Sequence, residues 1–422
     1  MERPENEGQE KEKKRTIFGK HIDKRNKIVK DKRFLQTSYI PEVLPHRSDD
    51  IDSIAAIIAS AFQGDRPSNI LIFGKPGTGK TAVMNFIGKE LQKEDPEGDN
   101  CVYIYTNCQI VDTQYGILQN IGNQIIKDFE KRIPTGWSLE KVYSEAKNYI
   151  DEQKKVFVVV LDEIDRLVYK SGDDVLYHLS KINEDLKFSK LSLVGISNDT
   201  KFTEFLDPRV KSRLGEEKMI FYPYDAQQLG DILRSRAEHA FEDGMLEEGV
   251  ISLCAALSAK EMGDARRALD LLRIAAEIAE RSGDTTVAEA HVRSAKNKIE
   301  LDIVSETVKA LTPQLKITLM SVIYNTKEDN KTMTTGDVYS TYKEICLILN
   351  ETALTQRRVT DFISELDMLG LIHARVRSFG RAGRTKEIEL SIPSETCKLL
   401  EDDESMRPLR THRPPKQTTL SC

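Results

Sequence analysis

Short apolar runs alternate with segments of helical periodicity between residues 48 and 224. The uninterrupted, largely β-branched run at residues 156–161 is typical of a strand buried on both faces of a sheet. Strands that alternate with helices form parallel sheets, so this region predicts an α/β layer. The predicted strands are residues 69–73, 101–105, 156–161, 191–196 and 219–222.

The strand pattern stops after Pro223, and the chain stays helical in pattern to about residue 304. Ala- and Leu-rich segments such as residues 265–280, closed by a Ser-Gly pair, predict a region made only of helices. The last apolar pattern, at residues 371–392, is that of a β-hairpin. Three helices are predicted before it, over residues 306–324, 335–349 and 355–369, and this succession is the one that a winged helix requires.

Composition and charge limit the class of protein. The longest apolar runs are far shorter than the roughly 18 residues of a membrane span, and the polar N-terminus does not resemble a secretory signal. The six cysteines lie far apart and form no Cys-x-x-Cys pair, which argues against a disulfide framework and against a zinc site. We therefore expect a reduced, cytoplasmic protein that makes no membrane contact.

The formal net charge of −6 argues against a nucleic-acid partner, but the charge is unevenly distributed. Residues 11–33 contain eleven Lys or Arg against three acids, and residues 375–386 contain five basic residues and no acid. Contact with a phosphate backbone depends more on local basic patches than on the net charge of the whole chain. The predicted parts are a basic flexible N-terminal arm (1–33), an α/β base (34–224), a helical region (225–304), a winged helix (305–395) and a flexible C-terminal tail (396–422).

Residues 74–81 match the phosphate-loop pattern G-x-x-x-x-G-K-[ST] at every position. The pattern lies between a predicted buried strand and a predicted helix. Its glycines let successive N–H groups point at phosphate oxygens, and the helix N-terminus adds partial positive charge. Lys80 is expected to reach the β- and γ-phosphates, and the Thr81 hydroxyl to bind Mg²⁺.

Two carboxylates, Asp162 and Glu163, follow the buried run at residues 156–161. In phosphate-loop NTPases an acid at this strand end holds Mg²⁺, and we assign that role to Asp162. Glu163 is then the candidate general base that polarises the attacking water. Asp165 is interpreted as a residue that starts the next helix.

Together with two later segments, these motifs resemble the AAA+ ATPases. Residues 195–198 (Gly-Ile-Ser-Asn) are similar to the sensor 1 segment of that family, which implies that Asn198 hydrogen-bonds the γ-phosphate or the attacking water. Residues 263–269 (Gly-Asp-Ala-Arg-Arg-Ala-Leu) are similar to sensor 2. The resemblance implies that Arg266, or alternatively Arg267, reaches the γ-phosphate from the helical region, which would be the lid.

Residues 206–214 (Leu-Asp-Pro-Arg-Val-Lys-Ser-Arg-Leu) resemble the arginine-finger segment of the same superfamily. Such an arginine points at the nucleotide of a neighbouring subunit. The sequence offers Arg209 and Arg213 for this role, and either could instead be a surface arginine paired with a nearby acid.

Residues 39–47 (Tyr-Ile-Pro-Glu-Val-Leu-Pro-His-Arg) and 221–225 (Phe-Tyr-Pro-Tyr-Asp) make the resemblance more specific. With the winged-helix pattern, they are similar to the archaeal replication initiators related to origin recognition complex subunit one and cell division control protein six. The match runs from about residue 34 to residue 392. It implies that Ile40, Pro41 and Tyr224 pack around the adenine. Residues 111–127 fall where initiators insert a helical motif that touches DNA, although a simple packing helix fits their neutral composition equally well.

The resemblance implies an α/β AAA+ phosphate-loop base, an all-helical lid and a C-terminal winged-helix domain. It implies a nucleoid-associated initiator that binds double-stranded origin DNA, recruits the minichromosome maintenance helicase, works beside initiator paralogues and hydrolyses ATP slowly as a switch. Two alternatives stay open at this point: an ATP-binding transcriptional regulator, and an AAA+ DNA motor of branch-migration type. ATP or ADP with Mg²⁺ would be bound by the residues named above and by Lys75, Pro76, Gly77, Thr78 and Gly79.

The C-terminal region carries the candidate DNA contacts. Arg357 and Arg358 open the third predicted helix, where recognition helices touch base edges or phosphates. The hairpin is rich in cations, and its Gly-containing tip could enter a groove. The candidate wing residues are Arg375, Arg377, Arg381, Arg384 and Lys386.

Overall fold

The computed structural model describes residues 27–126, 128, 130, 132–329, 333–378 and 384–410. It consists of two compact units, which divide between Arg293 and Ser294. Arg381 at the predicted wing tip lies outside the described residues, as do residues 1–26 of the predicted arm and 411–422 of the predicted tail. Within the described ranges, every helix is too short or too polar to cross a membrane.

The base of the first unit is a five-stranded parallel sheet with the strand order β2-β3-β4-β1-β5. The predicted α/β layer is confirmed, and each predicted strand is present with bounds that differ by a few residues. The strands are β1 (Ile70–Gly74), β2 (Cys101–Asn107), β3 (Val156–Asp162), β4 (Lys190–Ser197) and β5 (Glu217–Phe221).

Helices cover both faces of this sheet. Thr113 and Ser138 each cap a helix by accepting a hydrogen bond from a backbone N–H three residues on, as N-cap residues typically do. The helices of the base are α1 (Ser48–Ile58), α2 (Lys80–Glu94), α3 (Gln114–Ile125), α4 (Leu139–Gln153), α5 (Ile164–Ser171), α6 (Asp174–Lys181) and α7 (Pro208–Leu214). Short 3₁₀ helices add residues Lys32–Leu35, Ala59–Gln63, Ile182–Glu184 and Thr200–Glu204.

Strand β3 is buried along its whole length. Its side chains alternate between two cores: Phe157, Val159 and Leu161 belong to the cluster on one face of the sheet, whereas Val158 and Val160 belong to the cluster on the other. Full burial of one such side chain is worth about 1.5–3 kcal/mol. The strand that ends in Asp162 is therefore held rigidly, and so is the position of that carboxylate.

The lid consists of α8 (Ala226–Ala240), α9 (Val250–Lys260) and α10 (Ala265–Ser282). Asp225 and Gln228 form a capping box at the start of α8, which fixes where the chain leaves the base. Backbone hydrogen bonds link the lid to the base: Tyr224 N donates to Gly263 O at 3.2 Å, and Ala265 N donates to Gly77 O at 3.2 Å.

The described end of the predicted arm packs onto the lid. Ile28 and Val29 are each 2% exposed, and their backbone N–H groups donate to Oε1 of Glu280 on α10 at 3.3 and 3.1 Å. Lys32 Nζ donates to the other oxygen of Glu280 at 3.1 Å. The prediction of a flexible arm is therefore wrong for residues 28–33, because two adjacent apolar side chains among the charged residues are buried against the lid. We call residues 27–35 the N-terminal strap.

The second unit contains a helical core and a small antiparallel sheet with the order β6-β8-β7. This arrangement of three helices followed by a hairpin confirms the predicted winged helix. Its elements are α12 (Pro313–Asp329), β6 (Met333–Thr334), α13 (Thr335–Leu349), α14 (Gln356–Met368), β7 (Ile372–Ser378) and β8 (Arg384–Leu390). Helix α11 (Glu289–Ala310) contains the division between the units.

The first predicted helix of this region needs correction. The helix predicted over residues 306–324 is interrupted, because α11 ends at Ala310 and α12 begins at Pro313. Proline fits the first turn of a helix and disfavours helical geometry in the residue before it, which explains the break.

The predicted flexible tail is folded over its described part. Residues Ser394–Asp402 form helix α15, and a 3₁₀ helix covers Glu404–Arg410. Cys397, Leu400, Met406 and Leu409 are buried in the core of the second unit. Prolines and charges beyond residue 403 concealed an amphipathic pattern that continues past the hairpin.

Candidate nucleotide site and nucleic-acid interface

The phosphate loop connects β1 to α2, as the sequence predicts. Gly79 has a left-handed backbone with φ of 89°, and a Cβ atom there would lie 2.7 Å from the hydroxyl oxygen of Tyr224. Only glycine meets both conditions without strain. Thr78 is buried and its hydroxyl donates to Lys75 O at 2.9 Å, whereas the side chains of Lys75 and Pro76 are exposed.

The ammonium group of Lys80 lies inside the loop. It donates to Gly74 O at 2.7 Å, to Lys75 O at 2.9 Å and to Oδ1 of Asn198 at 2.9 Å. Burial lowers the pKa of Lys80 to about 8, because removal from water disfavours the charged form. The predicted phosphate-binding lysine and sensor residue are thus in direct contact.

Thr81 and Asp162 lie close enough to share one cation. The Thr81 hydroxyl donates to Oδ2 of Asp162 at 2.7 Å, and the Tyr105 hydroxyl donates to the same oxygen at 2.7 Å. Hydroxyl and carboxylate oxygens suit Mg²⁺, which binds few protein ligands and completes its shell with water and phosphate oxygens. The described part of the chain has no cluster of three or more acidic, His or Cys side chains that could hold a metal by itself.

One small polar cavity brings together most of the predicted catalytic residues. Glu163 adopts a left-handed backbone with φ of 55°, and its N–H donates to Oδ1 of Asp162 at 2.9 Å. This turn after β3 carries the Glu163 side chain to the cavity wall. The cavity is lined by Gly77, Gly79, Lys80, Thr81, Asp162, Glu163, Asn198 and Arg266.

A second, larger and more apolar cavity adjoins the first and shares Gly77, Gly79, Thr81 and Arg266 with it. Ile40, Pro41 and Tyr224, which the resemblance assigns to the adenine, all line this cavity. A phosphate loop at one end and an apolar chamber at the other suit a nucleotide with a flat aromatic base.

Arg47 organises the apolar cavity, although no role for it was predicted from the sequence. It is 7% exposed, and its Nε donates to the Tyr224 hydroxyl at 2.9 Å. The same guanidinium donates to Tyr222 O at 2.8 Å and to Asp50 at 2.8 Å, and it lies 4.3 Å from the centroid of the Tyr224 ring. Burial also raises the pKa of Tyr224. A lone arginine at the end of a turn motif gave no signal of these contacts.

Arg236 of α8 holds the wall of the apolar cavity that is formed by the residues around Tyr39. Its guanidinium donates to Tyr39 O at 2.9 Å and to Phe34 O at 3.4 Å, next to the predicted adenine-binding turn. Arg266 and Arg267 face different partners: Arg266 lines both cavities, whereas Arg267 forms an ion pair with Glu261.

Both arginine-finger candidates lie on the surface and pair with acids of the same chain. Arg209 bonds the side chain of Asp207 at 3.0 and 3.1 Å, and its own side chain is 69% exposed. Arg213 bonds Glu184 at 2.8 Å and is 38% exposed. Neither residue lines the two cavities. Within the segment 111–127, residues Gln114–Ile125 form helix α3, and Lys127 lies outside the described residues. Ile117, Leu118 and Ile121 are buried, so this face of the helix is used for packing.

In the second unit, Arg357 and Arg358 are exposed in the first turn of α14, and Arg358 lies 3.7 Å from Asp361. Arg375 on β7 is exposed, and Arg377 pairs with Glu387 of β8. The absence of acids in residues 375–386 thus does not make the wing purely basic, because Glu387 lies just beyond that window. Lys386 Nζ donates to Ser364 Oγ at 2.6 Å. Arg384 belongs to β8, opposite Ser378.

Comparison with known protein families matches three parts of the chain. Residues 63–199 match an AAA domain, residues 230–297 the Cdc6 AAA+ ATPase-type lid domain, and residues 306–398 the CDC6 C-terminal winged helix domain. These matches follow the base, the lid and the second unit described above.

Similar proteins extend over nearly the whole chain. The ORC1-type DNA replication protein 1 of Methanosarcina mazei is 52% identical over 398 residues, which cover 93% of this chain and 95% of that protein. The ORC1-type DNA replication protein of Pyrococcus furiosus is 49% identical and covers 96% of this chain and 97% of its own length. A solved structure of the Aeropyrum pernix ORC1 protein in complex with DNA superposes with a TM-score of 0.74 at 41% identity, covering 91% of this chain and 99% of that one. The chain therefore belongs to the family of ORC1-type DNA replication proteins.

Proposed function

We propose that this chain is an ATP-regulated replication initiator that binds origin DNA and helps to recruit the minichromosome maintenance helicase. The observation that carries the proposal is the convergence of Lys80, Asp162, Glu163, Asn198 and Arg266 on one polar cavity. Family membership over both units supports the role in replication.

ATP binding draws on both cavities. The phosphate loop and the N-terminus of α2 offer N–H groups and partial positive charge to the phosphates, and Lys80 adds a full charge. The apolar cavity with Ile40, Pro41 and Tyr224 receives the adenine. Because Arg266 of the lid lines both cavities, a bound nucleotide would hold lid and base together.

Hydrolysis requires a base for the attacking water and positive charge around the γ-phosphate. Glu163 accepts the proton of the water, Asn198 orients the water or the γ-phosphate, and Arg266 neutralises charge from the lid side. Thr81 and Asp162 would hold the Mg²⁺ that accompanies ATP, and this ion would add to the neutralisation of the phosphates.

A slow basal rate follows if one arginine must come from a second copy. Trans arginines raise the rate by about 10³–10⁵ in well-studied NTPases. Arg209 and Arg213 are the two candidates, and each would have to leave its present acidic partner. The test measures the rate of ATP hydrolysis by Arg209→Ala and by Arg213→Ala with many copies bound to one DNA. The variant with the slower rate identifies the arginine that acts in trans.

The ATPase proposal is tested by two variants. Glu163→Gln keeps the size of the side chain and removes the base, so ATP should still bind while single-turnover hydrolysis falls by about 10²–10⁴-fold. Lys80→Ala should lose ATP affinity itself. Full hydrolysis by Glu163→Gln would contradict the assigned base, and wild-type protein that binds no ATP would contradict the proposal.

DNA binding is assigned to α14 and the β7–β8 hairpin. Arg357 and Arg358 at the start of α14 would contact base edges or phosphates in the major groove, and Arg375, Arg377, Arg384 and Lys386, with Arg381 beyond the described residues, would contact the backbone or the minor groove. If six to ten phosphates are contacted, affinity should fall about 10³–10⁵-fold between 50 and 200 mM salt.

Replacement of one phosphate contact should weaken binding to all sequences and reduce the salt slope by about one. We expect this of Arg375→Ala. Lys309→Ala is the control, because Lys309 is an exposed residue of α11 that pairs with Glu306 and lies outside α14 and the hairpin. An affinity for DNA that does not depend on salt would overturn the assignment.

The replication role itself is tested by chromatin immunoprecipitation of the native protein beside a map of replication starts. Peaks at those starts would support the initiator, and peaks confined to promoters would support a transcriptional regulator. Helicase recruitment is tested by co-purification of the helicase on origin DNA with ATP and with ADP.

A further inference from the structure

We propose that Asp165 is a positioning residue, which holds the segment that carries Asn198 in place for ATP hydrolysis. The inference rests on the proposed ATPase function and adds a residue that lines neither of the two cavities. Asp165 lies in the first turn of α5, two positions after Glu163. From sequence, it is no more than an acid that starts a helix.

One oxygen of Asp165 binds two successive residues at the end of β4. Its Oδ1 accepts from the Asn198 N–H at 3.3 Å and lies 3.0 Å from the Ser197 hydroxyl, whose single proton it shares with Asp199 O at 2.8 Å; Asp165 itself is only 6% exposed. The pairing of β3 with β4 sets Asp162 opposite Ile196, so the start of α5 and the end of β4 are neighbours. Asp165 therefore ties the turn of the general base to the turn of the sensor.

The second anchor of Asn198 is Lys80. The ammonium of Lys80 can only donate, so the side-chain oxygen of Asn198 faces it at 2.9 Å. The amide NH₂ of Asn198 then faces away from Lys80, as a donor for a phosphate oxygen or an attacking water. Asp165 fixes the backbone of Asn198 and Lys80 fixes its side chain, so the direction of this donor is set from both ends.

A helix start alone does not require these contacts. An acid in the first turn stabilises a helix through its dipole while exposed to water, and Asp174 of α6 is such a case. Helix α6 has eight residues, as α5 does, and the hydrogen bond described for the Asp174 side chain comes from Gln114 of α3. Burial of a carboxylate is unfavourable unless hydrogen bonds compensate it, and those of Asp165 go to the sensor segment.

The test compares Asp165→Ala, Asp165→Asn and Asp174→Ala in the full chain. Loss of a residue that orients a functional group typically costs about 10–100-fold, so single-turnover hydrolysis by Asp165→Ala should slow by that factor with an unchanged Kd for ATP. Asp165→Asn should restore the rate, because an amide oxygen can accept from the same two groups. Asp174→Ala should hydrolyse ATP at the wild-type rate.

The inference is overturned if Asp165→Ala hydrolyses ATP as fast as wild type, or if its ATP affinity, rate and thermal stability fall together. If Asp165→Ala does not fold, Ser197→Ala decides, with its thermal stability measured beside its rate, because it removes the hydroxyl that lies between Asp165 and the backbone of Asp199. A slower rate at unchanged Kd would support the inference, and an unchanged rate would overturn it. Wild-type protein without ATP binding would overturn the proposed function, and this inference with it.

Discussion

The carboxylate of Asp264 at the start of lid helix α10 lies directly against the backbone of Gly77 in the phosphate loop. A Cβ atom on Gly77 would come within 1.7 Å of Oδ1 of Asp264. Asp264 cannot easily move, because the same oxygen accepts from Arg266 N at 2.7 Å and caps the helix. The approach of lid to base at this point therefore depends on a glycine.

We expect Gly77→Ala to weaken ATP binding by more than tenfold. Gly64→Ala is the matched control: both glycines have a left-handed φ, 75° and 77°, but nothing lies within 4 Å of a Cβ on Gly64. The control should lose only the conformational cost of about 1–2 kcal/mol in unfolding free energy and keep its ATP affinity. Titration with a fluorescent ATP analogue and thermal unfolding give both quantities.

A double-mutant cycle tests whether the contact with Asp264 causes the weaker ATP binding of Gly77→Ala. Asp264→Ala loses a helix cap, worth about 1 kcal/mol, but makes room for the new methyl group. The double variant Gly77→Ala/Asp264→Ala should bind ATP better than the sum of the two single effects predicts. Strict additivity would show that the contact with Asp264 is not what limits the Gly77 variant.

ATP affinity should depend on pH through Lys80. Burial lowers the pKa of Lys80 to about 8, so the protein without nucleotide loses this positive charge as the pH rises through that value. Phosphate binding needs the charged form. The Kd for ATP should therefore be nearly constant below pH 7.5 and rise by about tenfold per unit well above pH 8. Lys80→Arg, whose guanidinium stays charged, should bind with a flat profile; a flat profile for wild type up to pH 9.5 would contradict the prediction.

The N-terminal strap should detach when Glu280 is replaced. Glu280→Ala leaves the N–H groups of Ile28 and Val29 without their acceptor, and each unsatisfied buried group costs about 1–3 kcal/mol. We expect faster trypsin cleavage at Lys30 and Lys32 and a lower melting temperature. Glu280→Gln keeps an acceptor oxygen and should stay near wild type. Glu277→Ala is the control on the same helix, because Glu277 pairs only with Arg273 and Arg281 in the contacts described.

Acid should loosen the C-terminal helix of the second unit. Hydrogen bonds from Lys316 and Ser405 lower the pKa of Asp403 to about 2, so their stabilisation is present at pH 4 and above and is lost as the pH falls through about 2. Lys316→Met should cost about 1–3 kcal/mol at pH 7, and the difference from wild type should vanish near pH 2. Hydrogen exchange of the α15 amides measures this locally. Lys309→Met removes an exposed pair with Glu306 and should change little at any pH.

The parts that the sequence predicted well were those in which a local pattern is enough. A buried run that ends in Asp162, and a glycine pattern that ends in Lys80, specify strand, loop and helix over a few residues. The roles of Asp165, Tyr105 and Arg47 could not be predicted, because each depends on a partner brought near by sheet order or by the lid. Tyr105 meets Asp162 only because β2 lies beside β3.

The folded tail and the strap were missed for another reason. Ile28 and Val29 are a two-residue signal inside a run of cations, and the apolar positions of α15 follow a hairpin that already completed the expected domain. In both places the density of charged residues hides the spacing of the apolar ones. Apolar residues flanked by charged ones can still be buried when an acceptor such as Glu280 takes the hydrogen bonds of their backbone N–H groups.

The N-terminal strap is synthesised long before the lid helix to which it binds. Ile28 leaves the ribosome 252 residues before its partner Glu280, which at about 5–20 residues per second amounts to roughly 10–50 s. During that time Ile28 and Val29 have no site to occupy. Lys27, Lys30, Lys32 and Arg33 surround them, and charges of this kind act as gatekeepers against aggregation. The basic residues of the strap thus oppose aggregation of the nascent chain until the lid has been synthesised and can bury Ile28 and Val29.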